Sequence, residues 1–264
     1  MAKMKKVIII TGINGGIGKA CADYLSSKGN VIYGISRSIV GDEKYPTYCA
    51  DVNDYQRITE IFEEIYKLEK RIDVLINVAG YGIAGSIEST PCDEVYKLFD
   101  TNISAVVCLS HLAIPYLKQT KGNLINISSV GGIAPLPYQA CYSASKSAVE
   151  IFSRALDGEV KKDKIKVTVV LPGDLKTTFT SARKKYIEGD ENSIKRQNRA
   201  IAKMEKAECK GQDPIIVAKA IYRILKKKRP PLRKTVGFVY KFVAFLLRIL
   251  PLRFVNFLIR HIYC

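Results

Sequence analysis

An α/β fold built on a doubly wound parallel sheet, followed by an amphipathic helical extension, is predicted by three features of this 264-residue chain. Short apolar runs alternate with longer amphipathic segments, the order that makes a parallel sheet covered by helices on both faces. The first run leads directly into a glycine-rich turn and a helix. The last segment, Thr235 to Cys264, is apolar but broken at regular intervals by cations.

Lys6 to Thr11 (KVIIIT) is the first strand and Gly16 to Lys28 the helix that follows it. Asn30 to Ser36 and Thr47 to Ala50 are the next strands, ahead of the helix Tyr55 to Leu68. Asp73 to Asn77 precedes the long helix Asp93 to Leu117, Asn123 to Ile127 precedes the helix Gln139 to Lys161, and Lys166 to Leu171 is the sixth strand. No repeat or low-complexity linker interrupts this order, so residues 1–228 read as one α/β unit and residues 229–264 as the extension. Lys176 to Gly211 is charged, shows little apolar periodicity before Ile201, and is expected to leave the domain as a mobile excursion. Asp213 then caps a helix that runs to about Lys228, with Pro214 in its first turn.

Apolar residues are 47% and charged residues 25% of the chain, which suits one domain with a small appendage and excludes a disulfide miniprotein. The net charge of +17 is unevenly placed: residues 1–160 hold 16 Lys/Arg against 17 Asp/Glu, and residues 161–264 hold 26 against 8. An anionic partner is therefore expected at the C-terminal end, whether a membrane surface, nucleic acid or an acidic ligand. Only His111 and His261 are present, which rules out a multi-histidine metal centre and argues against a histidine general base. Seven cysteines form no C-x-x-C pair, so neither a zinc site nor a disulfide framework is indicated and a reducing, cytoplasmic compartment is expected. The apolar run after the N-terminal lysines is too short for a secretory leader.

Thr11 to Gly18 (TGINGGIG) places glycines where a strand turns into a helix. Such a turn lets backbone approach closely and offers the free N–H groups and positive end of a helix to a pyrophosphate. Tyr142 and Lys146 (YSASK) share one helix face at i, i+4 spacing, so phenol and ammonium can enter one cleft. A close cation stabilises phenolate and lowers a tyrosine pKa from its ordinary ~10. Asn77-Val78-Ala79-Gly80 and Asn126-Ile127-Ser128-Ser129 end strands at the carboxyl edge, where such sheets bind ligands. Ser128 and Ser129 both put hydroxyls at that edge.

Together these residues resemble the short-chain dehydrogenase/reductase family, including its hydroxysteroid- and retinol-dehydrogenase-like members with a C-terminal apolar extension. TGINGGIG, NVAG at Asn77, Asn102 of the long helix, Ser129, YSASK, and PGDLKT from Pro172 to Thr177 carry the resemblance, in the family order, over residues 4–228. It implies a Rossmann fold in which Tyr142 moves a proton, Lys146 lowers the Tyr142 pKa and binds the nicotinamide ribose, Ser129, favoured over Ser128 by its thirteen-residue spacing to Tyr142, bonds the substrate oxygen, and Asn102 holds a water in a proton relay. It also implies dinucleotide contacts from Gly12, Asn14, Gly16, Ile17, Gly18, Asn77, Ala79 and Gly80. Asp51 and Val52 would sit beside the adenine, and Pro172, Gly173, Leu175 and Thr177 beside the nicotinamide.

The second strand ends in Gly34-Ile35-Ser36-Arg37-Ser38, with no acid before Asp42. An acid there would bond both ribose hydroxyls, whereas a 2′-phosphate needs a cation, so NADP(H) is expected with Arg37 as phosphate ligand. In the extension, no charge-free run after Val236 exceeds six residues, as in Phe242 to Leu247, far short of the roughly 18–20 a membrane span requires. Lys234, Lys241 and Arg248 lie seven apart, as do Arg253 and Arg260 after Pro251. Two amphipathic helices with basic stripes are expected, to lie on an anionic membrane through residues 234–264, to close over the cleft, or to dock on protein.

The expected function is an NADP(H)-dependent oxidoreductase of a lipophilic alcohol or ketone, of hydroxysteroid, bile-acid or retinoid type, at a membrane surface or free in the cytoplasm. A 3-oxoacyl or other long-chain carbonyl reductase is the alternative within the family. A non-catalytic dinucleotide binder and a nucleic-acid binder are the rivals of another class; intact Ser129, Tyr142 and Lys146 argue against the first, and the lack of a reading motif against the second. A homo-oligomer is expected.

Overall fold

The computed structural model describes residues 5–39 and 44–263; Asp42, the first acid after the second strand, and Cys264, the last residue of the extension, lie outside them. Val7–Thr11 forms β1, whose β-branched run is buried at every residue because both faces of the sheet are covered. Around it the main sheet runs β3 (Thr47–Cys49), β2 (Val31–Ser36), β1, β4 (Val74–Asn77), β6 (Asn123–Ile127), β7 (Lys166–Pro172) and β9 (Arg233–Val236). Every neighbouring pair is parallel, with Ile8 opposite Ile32 on one side and Val74 on the other.

Side chains alternate between two cores. One joins Ile9, Ile35 and Leu75 to Phe62 of α2 (Tyr55–Glu69), Leu109 of α4 (Ala105–Thr120) and Leu156 of α5 (Ala140–Val160). The other joins Ile8, Ile10 and Ile76 to Leu25 of α1 (Gly16–Ser26) and Ile221 of α7 (Ile215–Leu225). The chain winds outward from β1 to β3 and returns to β4 on the other side. The reversal opens a crevice at the carboxyl ends of β1 and β4.

The six predicted strands are all present. The predicted long helix is interrupted: α3 (Cys92–Phe99) passes through a five-residue π turn, Asp100–Ser104, into α4. That wider turn carries Asn102, fully buried. The run Cys92–Thr120 is long and apolar enough to cross a membrane, yet here Leu98, Leu109, Ala113 and Leu117 pack into the domain core.

Two expectations need correction. Lys176 to Gly211 is not an excursion: it holds β8 (Lys184–Tyr186), paired with β5 (Ile83–Gly85) in a second small sheet, and α6 (Glu191–Cys209). The buried stripe of α6 is narrow, Gln197, Ala200, Ile201 and Met204, and its first member is a polar residue. Gln197 accepts from Ser86 N at 3.0 Å and donates to Glu188 O at 2.8 Å, so it is buried with partners on both ends of its amide. The second correction is the boundary at residue 228. β9 lies beyond it and completes the main sheet through pairs such as Val170 with Lys234. Two of its four residues are cations, tolerable at a sheet edge and invisible to a search for apolar runs. The extension proper is α8 (Phe238–Ile249) and α9 (Leu252–Tyr263), joined at Pro251 as predicted.

Candidate active site

The crevice is a cavity of about 540 Å³ that runs from Arg37 and Asp51 at one end, past Ser129 and Tyr142, to Tyr240 and Tyr263 at the other. Its first wall is the turn after β1. Gly12 has φ 64°, and a Cβ there would stand 3.0 Å from Ala79 Cα. Gly15 N donates to Gly12 O at 3.0 Å, and a Cβ on Gly18 would lie 2.1 Å from the same oxygen, so no side chain fits at Gly18. No side chain caps α1 at Gly15, which leaves the first-turn N–H groups of Gly16, Ile17 and Gly18 without helical partners. A bare helix N-terminus beside a bare turn suits a pyrophosphate, and the donor set fits a dinucleotide.

Several of the residues expected here act from behind the cavity wall. Asn14 donates to Ser38 O at 2.7 Å and ties the turn to the end of β2. Asn77 donates to Asn126 Oδ1 at 2.9 Å, and Asn126 donates to Ser153 Oγ at 2.9 Å, a buried rung joining β4, β6 and α5. Asn102 accepts from Tyr81 N at 3.1 Å and donates to Tyr81 O and Ser145 Oγ, both at 3.0 Å. Asn102 is thus the clamp that fixes Tyr81 on the cavity wall, with Gly80 packed between it and Lys146. Gly16, Ile17, Arg37, Asp51, Val52, Ala79, Gly80, Pro172, Gly173, Leu175 and Thr177 all line the cavity. Among the described residues Arg37 has no ion-pair partner and is exposed.

At the centre, Tyr142 shares a hydrogen bond with Ser129, whose Oγ also accepts from Gly131 N at 3.0 Å. Ser128 donates its hydroxyl to Lys146 O at 2.7 Å, which leaves Ser129 as the serine bonded to the phenol. Lys146 Nζ donates to Ile127 O at 3.2 Å and stands 5.9 Å from the Tyr142 ring centre. Burial pushes the phenol up to about 12 and the ammonium down to about 8. The expected lowering of the Tyr142 pKa by Lys146 is therefore not what this geometry gives. Desolvation is the largest influence on the phenol; the charge of Glu208 adds to it, and the Ser129 hydrogen bond and the charge of Arg183 oppose it only in part.

Sequence reasoning missed much of the far end. Phe179 packs on Tyr142 at 5.5 Å between ring centres, and the Arg183 guanidinium lies 5.6 Å from the Phe179 ring. Arg183 is fully covered and bonds Glu208, which also accepts from Thr180 at 2.7 Å. Gln139 Nε2 is buried on the cavity wall with no hydrogen-bond partner among the described residues. Asp174 accepts from the Tyr240 hydroxyl, and burial raises its pKa. The tail had left a readable sign: Tyr240, Val243, Val255, Ile259 and Tyr263 recur at helical spacing on the faces opposite the cations.

A doubly wound sheet with a pyrophosphate cradle and a Ser–Tyr–Lys centre in one crevice defines a dinucleotide-linked oxidoreductase of alcohols and carbonyls. The chain belongs to the short chain dehydrogenase family, whose model matches residues 6–187. It is 39% identical over 236 residues to a 3-ketodihydrosphingosine reductase of Bacteroides thetaiotaomicron, covering 88% of each chain. It is 30% identical over 249 residues to an NADPH-dependent 3-dehydrocapnine reductase of Ornithobacterium rhinotracheale, covering 87% of each. Among solved structures it is similar to ElxO with NADP bound, at a TM-score of 0.74 and 26% identity, covering 90% of this chain and 100% of that one.

Proposed function

We propose that this enzyme is an NADP(H)-linked reductase of a long-chain ketone carrying a polar, amine-bearing head, with 3-ketodihydrosphingosine as the type of substrate. The observation that carries the reading is the single cavity in which a cofactor cradle, the Ser129–Tyr142–Lys146 centre and a wall of tail side chains are continuous. The 3-ketodihydrosphingosine reductase that is 39% identical supports the same class of substrate here. Here Leu136, Phe179, Val243, Ile259 and Ile262 give the substrate end an apolar lining, while Asp174, bonded to Tyr240, and Glu208, bonded to Arg183 and Thr180, give it carboxylate oxygens. Apolar wall and acid together suit an amino ketone with a long chain better than a steroid or retinoid.

Gly16, Ile17 and Gly18 would hold the pyrophosphate, Arg37 a 2′-phosphate, and Lys146 the nicotinamide ribose. NADP(H), when bound there, supplies or takes the hydride. Ser129 donates to the substrate carbonyl oxygen and orients it. Tyr142, whose pKa burial raises, is protonated at neutral pH and gives that oxygen its proton. Phe179 and the tail keep water from the reacting carbon.

The test is turnover of 3-ketodihydrosphingosine, a ketosteroid and retinal with NADPH and with NADH. The highest kcat/KM is expected for the sphingoid ketone with NADPH. A higher value for the steroid or for retinal would overturn the substrate reading, and a preference for NADH the assignment of Arg37.

A further inference from the structure

The two tail helices have inner faces that line the cavity and outer faces that stay exposed among the described residues. Each helix buries a single residue, Ala244 in α8 and Val255 in α9. Phe238, Phe242, Phe245 and Ile249 follow i, i+4, i+7, i+11 spacing along the outside of α8 and are 57–84% exposed. Phe254, Phe257 and Leu258 make the matching outward stripe on α9. Lys241 and Arg248 flank the first stripe, and Arg253 and Arg260 the second, each pair seven residues apart and exposed. From Pro214 to Cys264 the chain has twelve Lys/Arg and no Asp/Glu.

We infer that the outer face of α8 and α9 is a docking surface for an anionic bilayer, with the apolar stripes entering the headgroup boundary and the flanking cations meeting lipid phosphates. An exposed aromatic and aliphatic stripe edged by cations is the pattern of a helix lying in the membrane interface. A second copy of the chain fits poorly, since two such faces carry the same charge and no acid to pair with it. A nucleic-acid backbone would meet the cations but leave the apolar stripes wet.

The consequence is spatial. Tyr240 is bonded to Asp174, Lys203 Nζ donates to Ile262 O at 2.7 Å, and Val243, Ile259 and Tyr263 line the cavity. One helix thickness, roughly 10 Å, therefore separates lipid from the cavity. The docking itself does not depend on the proposed substrate.

Deleting the tail is a poor test, because a cut near Lys234 removes β9 and any cut before Tyr263 opens the cavity. Outward substitutions in the full chain avoid both problems. Wild type, the triple change Phe242→Ser, Phe245→Ser, Phe257→Ser, and the triple change Lys241→Gln, Arg248→Gln, Arg253→Gln are sedimented with vesicles of phosphatidylcholine, alone or mixed with phosphatidylglycerol. Wild type is expected to sediment with the mixed vesicles, less so at high salt. The glutamine variant should bind mixed vesicles at least ~100-fold more weakly. The serine variant should lose binding to both kinds of vesicle. None of these side chains lines the cavity, so both variants should turn over a water-soluble ketone with NADPH as wild type does. A wild type that stays in the supernatant would overturn the inference, as would a wild-type dimer that the serine changes dissociate, or retention on DNA without vesicle binding. Loss of ketone turnover by all three proteins, with sedimentation as expected, would refute the redox reading and leave the docking intact.

Discussion

Replacing Lys146 by methionine separates the electrostatics of the site from its chemistry. Lys146 is 5% exposed, its ammonium donates to Ile127 O at 3.2 Å, and burial alone lowers its pKa from 10.5 to about 8. Between those two values the unfolded chain holds a proton that the native protein has released. Stability contributed through this group therefore rises with pH across that window and is lowest below pH 8. Taking both pKa values, the gain from pH 7 to pH 9.5 is about 2 kcal/mol, or roughly 4–8 °C in Tm for a chain of this size. Cys21, whose buried thiol is raised to about 12, works in the opposite direction above pH 9. The useful quantity is therefore the difference between wild type and variant. Lys146→Met, free of the buried charge, should be the more stable protein at pH 7 by about 3 kcal/mol, and its advantage should shrink to about 1 kcal/mol at pH 9.5. Urea unfolding of both proteins without dinucleotide, across that range, reads the difference directly. An advantage that is constant or grows with pH would refute the claim that burial holds this lysine near 8.

Arg37→Asp should exchange a cation that meets a 2′-phosphate for an acid that repels it and bonds ribose hydroxyls, so the ratio of kcat/KM with NADPH to that with NADH should fall by ~10²-fold or more. Gly173→Ala would put a Cβ 2.0 Å from the Tyr240 ring, forcing the ring off Asp174. Losing that hydrogen bond and its packing should cost about 2 kcal/mol, and KM for a long-chain ketone should rise more than for a short one; equal KM values for both would mean that α8 does not wall the substrate end.

Much of this was legible because it rests on local chemistry. TGINGGIG, a weak signal alone, could be read as a cradle because NVAG, Ser129 and YSASK follow it in the order of the family, and the family's spacing from serine to tyrosine singled out the serine that bonds the phenol. What escaped depends on the third dimension. Nothing in Asn77 or Asn14 distinguishes a side chain that faces a ligand from one that ties the wall together, and their partners are far away in sequence. α6 was hidden by a core stripe that includes Gln197, and β9 by Arg233 and Lys234 at a sheet edge. The Tyr142 pKa was expected to move in the wrong direction because burial, the larger effect, has no sequence signal. The tail sits between these extremes: its helices and Pro251 corner were readable, but that its inner face walls the cavity emerged only from the bond between Tyr240 and Asp174.

The central claim is that Tyr142 moves the proton while the rest of the crevice only binds and orients. Tyr142→Phe keeps the ring against Phe179 and removes the hydroxyl alone. NADPH affinity, followed by nicotinamide fluorescence, should stay within about twofold of wild type, while turnover of the ketone followed by NADPH absorbance should fall ~10²- to 10⁴-fold. Turnover within a few-fold of wild type, with NADPH still bound, would contradict the account.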